Sequence, residues 1–99
     1  MVDFVKTQAY DDWLKSLDLQ IQVRIVTRVT KFEATGHPGD AKSVGEGIME
    51  MRFAFGPGYR VYYAVLKQTV ILLGGDKSTQ AKDIKTAKGF AKYWKGQMR

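Results

Sequence analysis

Hydrophobic and polar positions change period several times along the chain, and the changes divide it into elements. The clearest stretch runs from residue 48 to residue 66. Ile48-Met49-Glu50-Met51-Arg52-Phe53-Ala54-Phe55 and Tyr59-Arg60-Val61-Tyr62-Tyr63-Ala64-Val65-Leu66 both alternate, both are rich in aromatic and branched residues, and they flank Gly56-Pro57-Gly58. Glycine tolerates positive φ and proline fixes φ, so the breaker predicts a tight turn and the whole stretch a β-hairpin. Pairing Phe55 with Tyr59 places Met49, Met51, Phe53, Phe55, Tyr59, Val61, Tyr63 and Val65 on a core-facing side. Glu50, Arg52, Ala54, Arg60, Tyr62 and Ala64 then share the other side. On that register Arg52 lies opposite Tyr62 and Arg60 opposite Ala54, and the two arginines are diagonal neighbours roughly 7–8 Å apart.

The flanking segments follow from the same reading. Phe4 to Ala9 alternates briefly and reads as a strand. Asp11 to Leu17 reads as a short helix, with acids in its first turn where the dipole favours them and Trp13, Leu14 and Leu17 as its inner stripe. In the segment from Leu19 to Thr35, Ile21-Gln22-Val23-Arg24-Ile25 alternates like a strand. Ile21, Ile25, Val29 and Phe32 nevertheless recur at spacings of four, four and three, and the segment runs without a breaker to Gly36. Length decides for a helix, with Asp18 as N-cap, Gly36 as stop, and Arg24, Arg28 and Lys31 on a solvated flank. Gly36 to Gly47 is rich in glycine and reads as a loop of about twelve residues, a length that is often functional in a small domain. Lys67-Gln68 is a second turn, and Thr69-Val70-Ile71-Leu72-Leu73, apolar throughout, reads as a central strand.

Gly74 to Gln80 leaves that strand, with Ser78 or Thr79 as helix cap. From about Thr79 the period is helical. Ile84, Ala87, Ala91, Trp94 and Met98, with Phe90 at the edge, fall on one side, and Lys82, Lys85, Lys88, Lys92, Lys95 and Arg99 on the other. The order β-α-α-β-β-β-α predicts an α+β fold, an antiparallel sheet with helices packed on one face, in a single domain over residues 1–99.

Charge adds a direction to this outline. The formal net charge is +6, and residues 77–99 carry seven basic side chains against Asp83 alone, so the whole excess sits in the last quarter. A basic end suits an anionic partner: nucleic acid, the ribosome or an acidic protein segment. There is no cysteine and one histidine, which removes disulfides, thiolate chemistry and cysteine-based zinc sites and leaves too few ligands for a histidine-based metal centre. No serine–histidine–aspartate set or paired-carboxylate site is visible. No apolar run approaches the ~20 residues of a membrane span, and the first residues lack a signal-peptide pattern, so a cytoplasmic location without membrane attachment is expected.

The residues that can carry chemistry each admit two readings. Arg52 and Arg60 are either a solvated face with Glu50 partly neutralising Arg52, or a phosphate clamp, since a guanidinium grips two oxygens and stays charged. Gly74-Gly75-Asp76-Lys77-Ser78-Thr79 is either a capped strand-to-helix turn or a place where a ligand approaches bare backbone beside a lysine; it lacks Walker spacing. Tyr62 is either packing or a base-stacking ring. His37 is either a loop histidine or a proton carrier, being the only side chain here with an ordinary pKa near neutrality.

Gly56-Pro57-Gly58-Tyr59-Arg60-Val61-Tyr62-Tyr63, preceded by Gly45-x-Gly47-x-x-Glu50-Met51-Arg52 and followed by Leu73-Gly74-Gly75-Asp76-Lys77-Ser78-Thr79-Gln80, resembles the HigB-like addiction-module-killer branch of the RelE/ParE toxin superfamily. Asp83-Ile84 and Ala87 continue the pattern, and the resemblance spans nearly the whole chain. It implies a toxin of a type II toxin–antitoxin module, neutralised by a cognate antitoxin of helix-turn-helix type. The activity it implies is ribosome-dependent mRNA cleavage by metal-free attack of a ribose 2′-OH, with no cofactor. By position it assigns Arg60, Arg52 and Lys77 to catalysis and Tyr62, Lys82 and Lys85 to substrate binding. Some members carry a tyrosine in the last helix as acid or base; here Gln80 to Asp83 has no aromatic, and His37 or Asp76 are the candidates that remain. The same fold also hosts ParE-like inhibitors of DNA gyrase that cleave nothing, and a degenerate toxin retaining only antitoxin binding is the third reading.

Overall fold

The computed structural model of the protein describes residues 4–97. In chain order it contains β1 (Phe4–Lys6), α1 (Gln8–Lys15), α2 (Leu19–Thr35), β2 (Ala41–Gly45), β3 (Ile48–Arg52), β4 (Tyr59–Val65), β5 (Thr69–Asp76), a 3-10 turn (Lys77–Thr79) and α3 (Gln80–Gln97). The five strands form one sheet in the order β1-β5-β4-β3-β2. Three pairings are antiparallel, but β1 runs parallel to β5, with Phe4 beside Thr69 and Lys6 beside Ile71. The sheet is therefore mixed, not antiparallel as expected. A three-residue strand carries no pattern that encodes direction; its sense follows from where α1 and α2 take the chain.

Helix boundaries follow capping chemistry. Thr7 accepts from the Tyr10 amide at 3.1 Å while its hydroxyl donates to the Leu72 carbonyl at 2.7 Å, so α1 starts at Gln8, earlier than its acidic residues suggest, and is tied to β5 as it starts. The helix expected over Leu19–Thr35 is present as α2. Gly36 stops it in the left-handed region at φ 75°, its amide bonded to the Phe32 carbonyl; Asp18 occupies the N-cap position without a side-chain capping bond. The expected loop before the hairpin is shorter than read, because Ala41–Gly45 pairs with β3 as an edge strand.

Helices cover both faces of the sheet, where one was expected. On one face Tyr10, Ile25, Val29 and Phe32 pack against Met51, Phe53, Val61, Tyr63 and Ile71, with Trp13 and Leu14 at the margin. On the other, Ala87 and Ala91 of α3 pack against Ile48, Tyr62, Ala64, Val70 and Leu72, with Ile84, Phe90 and Trp94 beside them. Of the predicted inner stripe of α3, Met98 lies outside the described residues, as does Arg99 of the basic stripe. The two-residue sorting of the hairpin survives, except that Val65 is exposed. Its register differs: Phe53, not Phe55, bonds to Tyr59, and Arg52 stands directly opposite Arg60. The turn takes up more chain than read because Gly56 and Gly58 both adopt positive φ, and Phe55 folds onto Tyr59 beneath the Arg24 guanidinium, 3.7 Å from its ring centre. A shift of two residues preserves faces, so both arginines stay on one side.

Bare backbone in β5 has a packing reason. A register shift between Tyr62 and Tyr63 leaves Leu72 unpaired, and beyond it Gly74 faces α1 and Gly75 faces α3. A Cβ at Gly74 would overlap the Trp13 indole, and one at Gly75 would overlap the Asp83 carboxylate. The ligand-approach reading of this pair gives way to two side chains that already fill the space.

Gly74→Ala is expected to lower stability by about 1–3 kcal/mol through overpacking against Trp13. Gly89→Ala, in the middle of α3 with nothing within 4 Å of its would-be Cβ, is expected to raise stability by ~0.5–1 kcal/mol. Urea unfolding of both variants checks the pair; a wild-type midpoint for Gly74→Ala would show that indole packing is not what requires a glycine there.

Candidate functional site

The hairpin, the chain before it and the end of β5 meet around a concave site. Its volume is about 570 Å³, and Asp40, Arg52, Phe53, Ala54, Gly56, Pro57, Gly58, Arg60 and Lys77 line it. Arg52 comes from the last position of β3, Arg60 from the second of β4, and Lys77 from the turn that follows β5. Three cations that are distant in sequence thus share one polar cavity. Strand pairing brings them there: Arg52 pairs with Arg60, and Arg60 in turn with Gly75, two residues before the lysine.

Each arginine has its own carboxylate. Arg52 donates from Nη2 to the Asp40 carboxylate at 2.8 Å, at the exposed rim. That hydrogen bond holds the Asp40 carboxyl below its ordinary range and raises the Arg52 guanidinium above its own. Arg60 is 13% exposed and sits deeper. Its Nη1 donates to the carbonyls of Gly58 at 3.3 Å and Tyr59 at 3.2 Å, and its Nε lies 3.8 Å from a Glu50 carboxylate oxygen, an ion pair longer than a hydrogen bond. Glu50 is buried and its ion pair is with Arg60; toward Arg52, which sequence reading has it partly neutralise, its charge is the smallest of the contributions and Asp40 is the main partner.

Asp40 and the rim are held by a residue that sequence reading left on a solvated flank. Arg28 of α2 donates from Nε to the Pro38 carbonyl at 2.9 Å, from Nη2 to the Asp40 carbonyl at 2.7 Å and from Nη1 to the Arg52 carbonyl. Its guanidinium also lies 4.5 Å from the centre of the Phe53 ring. One planar fork thereby fixes the loop that carries Asp40 against the strand that carries Arg52. Burial pulls the Arg28 pKa down, and Asp40 opposes that shift. No local pattern marks this role, because helix spacing alone cannot tell a solvated arginine from one that reaches carbonyls ten residues on.

The remaining sequence candidates lie elsewhere. Tyr62 is fully buried under α3; burial first, then the Glu50 carboxylate, push its phenol well above its ordinary pKa, and it offers no ring face for a base. Asp76 accepts from the Ser78 hydroxyl and amide, which holds its carboxyl low, and it caps the 3-10 turn that precedes α3. Thr79 completes the box from its side and donates to Asp83 at 2.5 Å. His37 lines a separate cavity of about 190 Å³ with Arg28, Lys31, Pro38 and Gly39. Lys82 and Lys85 are exposed on α3, outside the cavity lining. No group of three or more histidine, cysteine, aspartate or glutamate side chains able to hold a metal occurs among the described residues, and no helix there is long and apolar enough to cross a membrane.

Because the Asp40 pKa is depressed in the folded state, the Asp40–Arg52 pair contributes its full stabilisation above the ordinary carboxylate range and loses it as pH falls through the lowered value. Arg52→Gln is expected to raise the Asp40 pKa toward its ordinary value, since the Arg52 hydrogen bond is the largest cause of its depression. A carboxyl-carbon NMR titration checks this, and an unmoved Asp40 midpoint would show that Arg52 is not its controlling partner.

The sequence pattern described as phage derived protein Gp49-like (DUF891) matches residues 12–92, a range that includes Arg28, Asp40, Glu50, Arg52, Arg60 and Lys77. An uncharacterized protein of Haemophilus influenzae is 45% identical over 85 residues, which cover 83% of this chain and 85% of that protein. With most of its length inside the family pattern and the cavity-lining cations within the matched range, the chain belongs to the Gp49-like family of phage-derived proteins.

Proposed function

We propose that this chain is the toxin of a type II toxin–antitoxin module and acts as a ribosome-dependent mRNA endonuclease. The observation that carries the reading is the convergence of Arg52, Arg60 and Lys77, from three separate elements, on one polar cavity. Membership of the Gp49-like family, a toxin-like group related to RelE-type toxins, supports its coarser part. The finer part rests on the chemistry of the cavity and on the resemblance to HigB-like killers.

In the proposed reaction the ribose 2′-oxygen forms a bond to the adjacent phosphorus as the bond from phosphorus to the 5′-oxygen breaks. The products are a 2′,3′-cyclic phosphate and a free 5′-hydroxyl, and the proton lost from the 2′-OH is balanced by one delivered to the 5′-oxygen. Negative charge builds on the phosphoryl oxygens in between. Arg60 answers that charge from a position fixed by two carbonyls and a buried carboxylate. Arg52, opposite it, reaches a second oxygen by exchanging Asp40 for phosphate, and Lys77 adds an exposed cation from the turn after β5. Preorganised cations of this kind lower a barrier without reorganising during the reaction.

Proton transfer carries less of the rate. The cavity carboxylate is Asp40, and the depressed pKa that keeps it ionised also makes it a weak base. Asp76 is engaged by Ser78, and His37 stands in a different cavity. Lys82 and Lys85 serve as salt-sensitive contacts to the RNA backbone beyond the cavity. The partners in this reading are mRNA on the ribosome and a cognate antitoxin of helix-turn-helix type, whose acidic segment would complement the basic surface.

Expression with and without the neighbouring gene, followed by mapping of mRNA 5′ ends, tests the reading. Wild-type chain is expected to cut translated mRNA. Arg60→Ala is expected to lower cutting by about 10²–10³-fold, the range seen when one preorganised donor to a developing anion is removed. Arg60→Lys should restore little, because an ammonium lacks the planar fork. Intact ribosome-bound transcripts during wild-type growth arrest would sink the endonuclease. DNA damage and filamentation ahead of translational arrest would replace it with a gyrase inhibitor, and growth arrest unaffected by Arg60→Ala would favour a toxin that is no nuclease.

A further inference from the structure

Glu50 is the acid among the described residues that is fully buried, 1% exposed, on the sheet face that α3 covers. It pairs across the strands with Tyr62, and its neighbours in the packing layer include Ile48, Ala64 and Leu72. A carboxylate is strongly disfavoured in such surroundings unless a cation and hydrogen bonds compensate, and even a well-made buried ion pair adds little stability over an apolar substitute. Stability alone therefore gives weak reason for a glutamate at this position.

Its contacts give a stronger one. One oxygen lies 3.8 Å from Arg60 Nε, and the other accepts a hydrogen bond from Gln80 Nε2 at 2.7 Å. Gln80 is the first residue of α3. On its other side the Arg60 guanidinium is held through Nη1 by the Gly58 and Tyr59 carbonyls of the turn. Charge on the Nε edge and carbonyls at one amino group fix how the plane of the guanidinium is turned, and so which part of it faces the cavity. Removing the charge would leave the carbonyls alone, and a long arginine side chain held at one point rotates.

We propose that Glu50 is a positioning residue for Arg60, and that Gln80 is the link by which the docking of α3 sets the direction of that arginine. The proposal rests on the phosphate site described above. It makes the seating of α3 on the sheet a condition for a well-aimed Arg60, although α3 supplies no side chain to the cavity lining.

The test uses the full chain, with inorganic phosphate as probe, and reads the Arg60 Nε–H resonance by NMR, the phosphate affinity and the melting temperature together. Wild type is expected to show a distinct Arg60 Nε–H signal that moves on addition of phosphate. Glu50→Gln keeps the side-chain shape and an acceptor for Gln80, and should melt below the wild-type temperature, because the largely buried Arg60 guanidinium loses its counter-charge. Its Arg60 signal should fall to the averaged position of free arginines and its phosphate affinity should drop roughly tenfold, the low end of what loss of an outer supporting partner costs a binding group. Glu50→Asp should recover part of both. Gln80→Ala should move both readouts in the same direction by less, and it decides the matter if Glu50→Gln does not fold. An unchanged Arg60 signal and affinity in Glu50→Gln would overturn the proposal. A wild-type Arg60 signal indifferent to phosphate would instead overturn the phosphate site, while comparison of that signal between wild type and Glu50→Gln still decides whether Glu50 positions Arg60.

Discussion

Two arginines stand opposite each other across β3 and β4, and much of the surrounding structure answers that constraint. Like charges directly opposite on neighbouring strands repel. Each arginine is therefore given a carboxylate, and the two carboxylates are of opposite kinds. Asp40 reaches Arg52 from the exposed rim, while Glu50 reaches Arg60 from within the packed layer beneath α3. The loop that carries Asp40 is pinned by Arg28, and the glutamate is pinned by Gln80. Elements from both faces of the sheet thus converge on one cross-strand pair.

The asymmetry of the two pairs has chemical consequences. An exposed carboxylate is readily exchanged for another anion, because water solvates it when it leaves. A buried one stays where it is, since exposing it would take the packing layer apart. In the proposed reading Asp40 occupies the place a phosphate would take, and Glu50 remains as scaffold. The cavity so formed is lined by Arg52, Arg60 and Lys77 beside Asp40, and in the same reading those cations meet an anionic chain.

The central strand explains how so small a protein carries packing on both sides of its sheet. β5 is buried along most of its length, lies between β1 and β4, and at Gly74 and Gly75 presents only backbone. Trp13 takes the space on one side and Asp83 on the other. That close approach draws α1 and the start of α3 onto the end of the strand from which Lys77 projects. The role of the glycines is therefore indirect: they seat α1 and the start of α3 against the end of β5, just before Lys77 enters the cavity lining.

Hydrophobic period, read with run length and with the glycine and proline breakers, determined the long helix to Gly36, the hairpin with its two faces, the apolar interior strand and the basic last helix. These depend on local sterics and on which side chains water rejects, and both are written residue by residue. The same period put Arg52 and Arg60 on one face, and no register shift of two residues could separate them. Tertiary structure decided what lies against that face. A side chain at a polar position can end in solvent, in an ion pair or under a helix, and alternation does not distinguish them: Arg52 reaches the rim, Glu50 and Tyr62 are buried by α3, and Arg28 is spent on carbonyls rather than on water. The direction of β1, the pairing of β2, the turn length that set Arg52 against Arg60 and the partner of each arginine all depend on which residues meet across the fold, up to 65 positions apart in the case of β1 and β5. Loop closure and packing fix those distances, and they act only once the chain has folded.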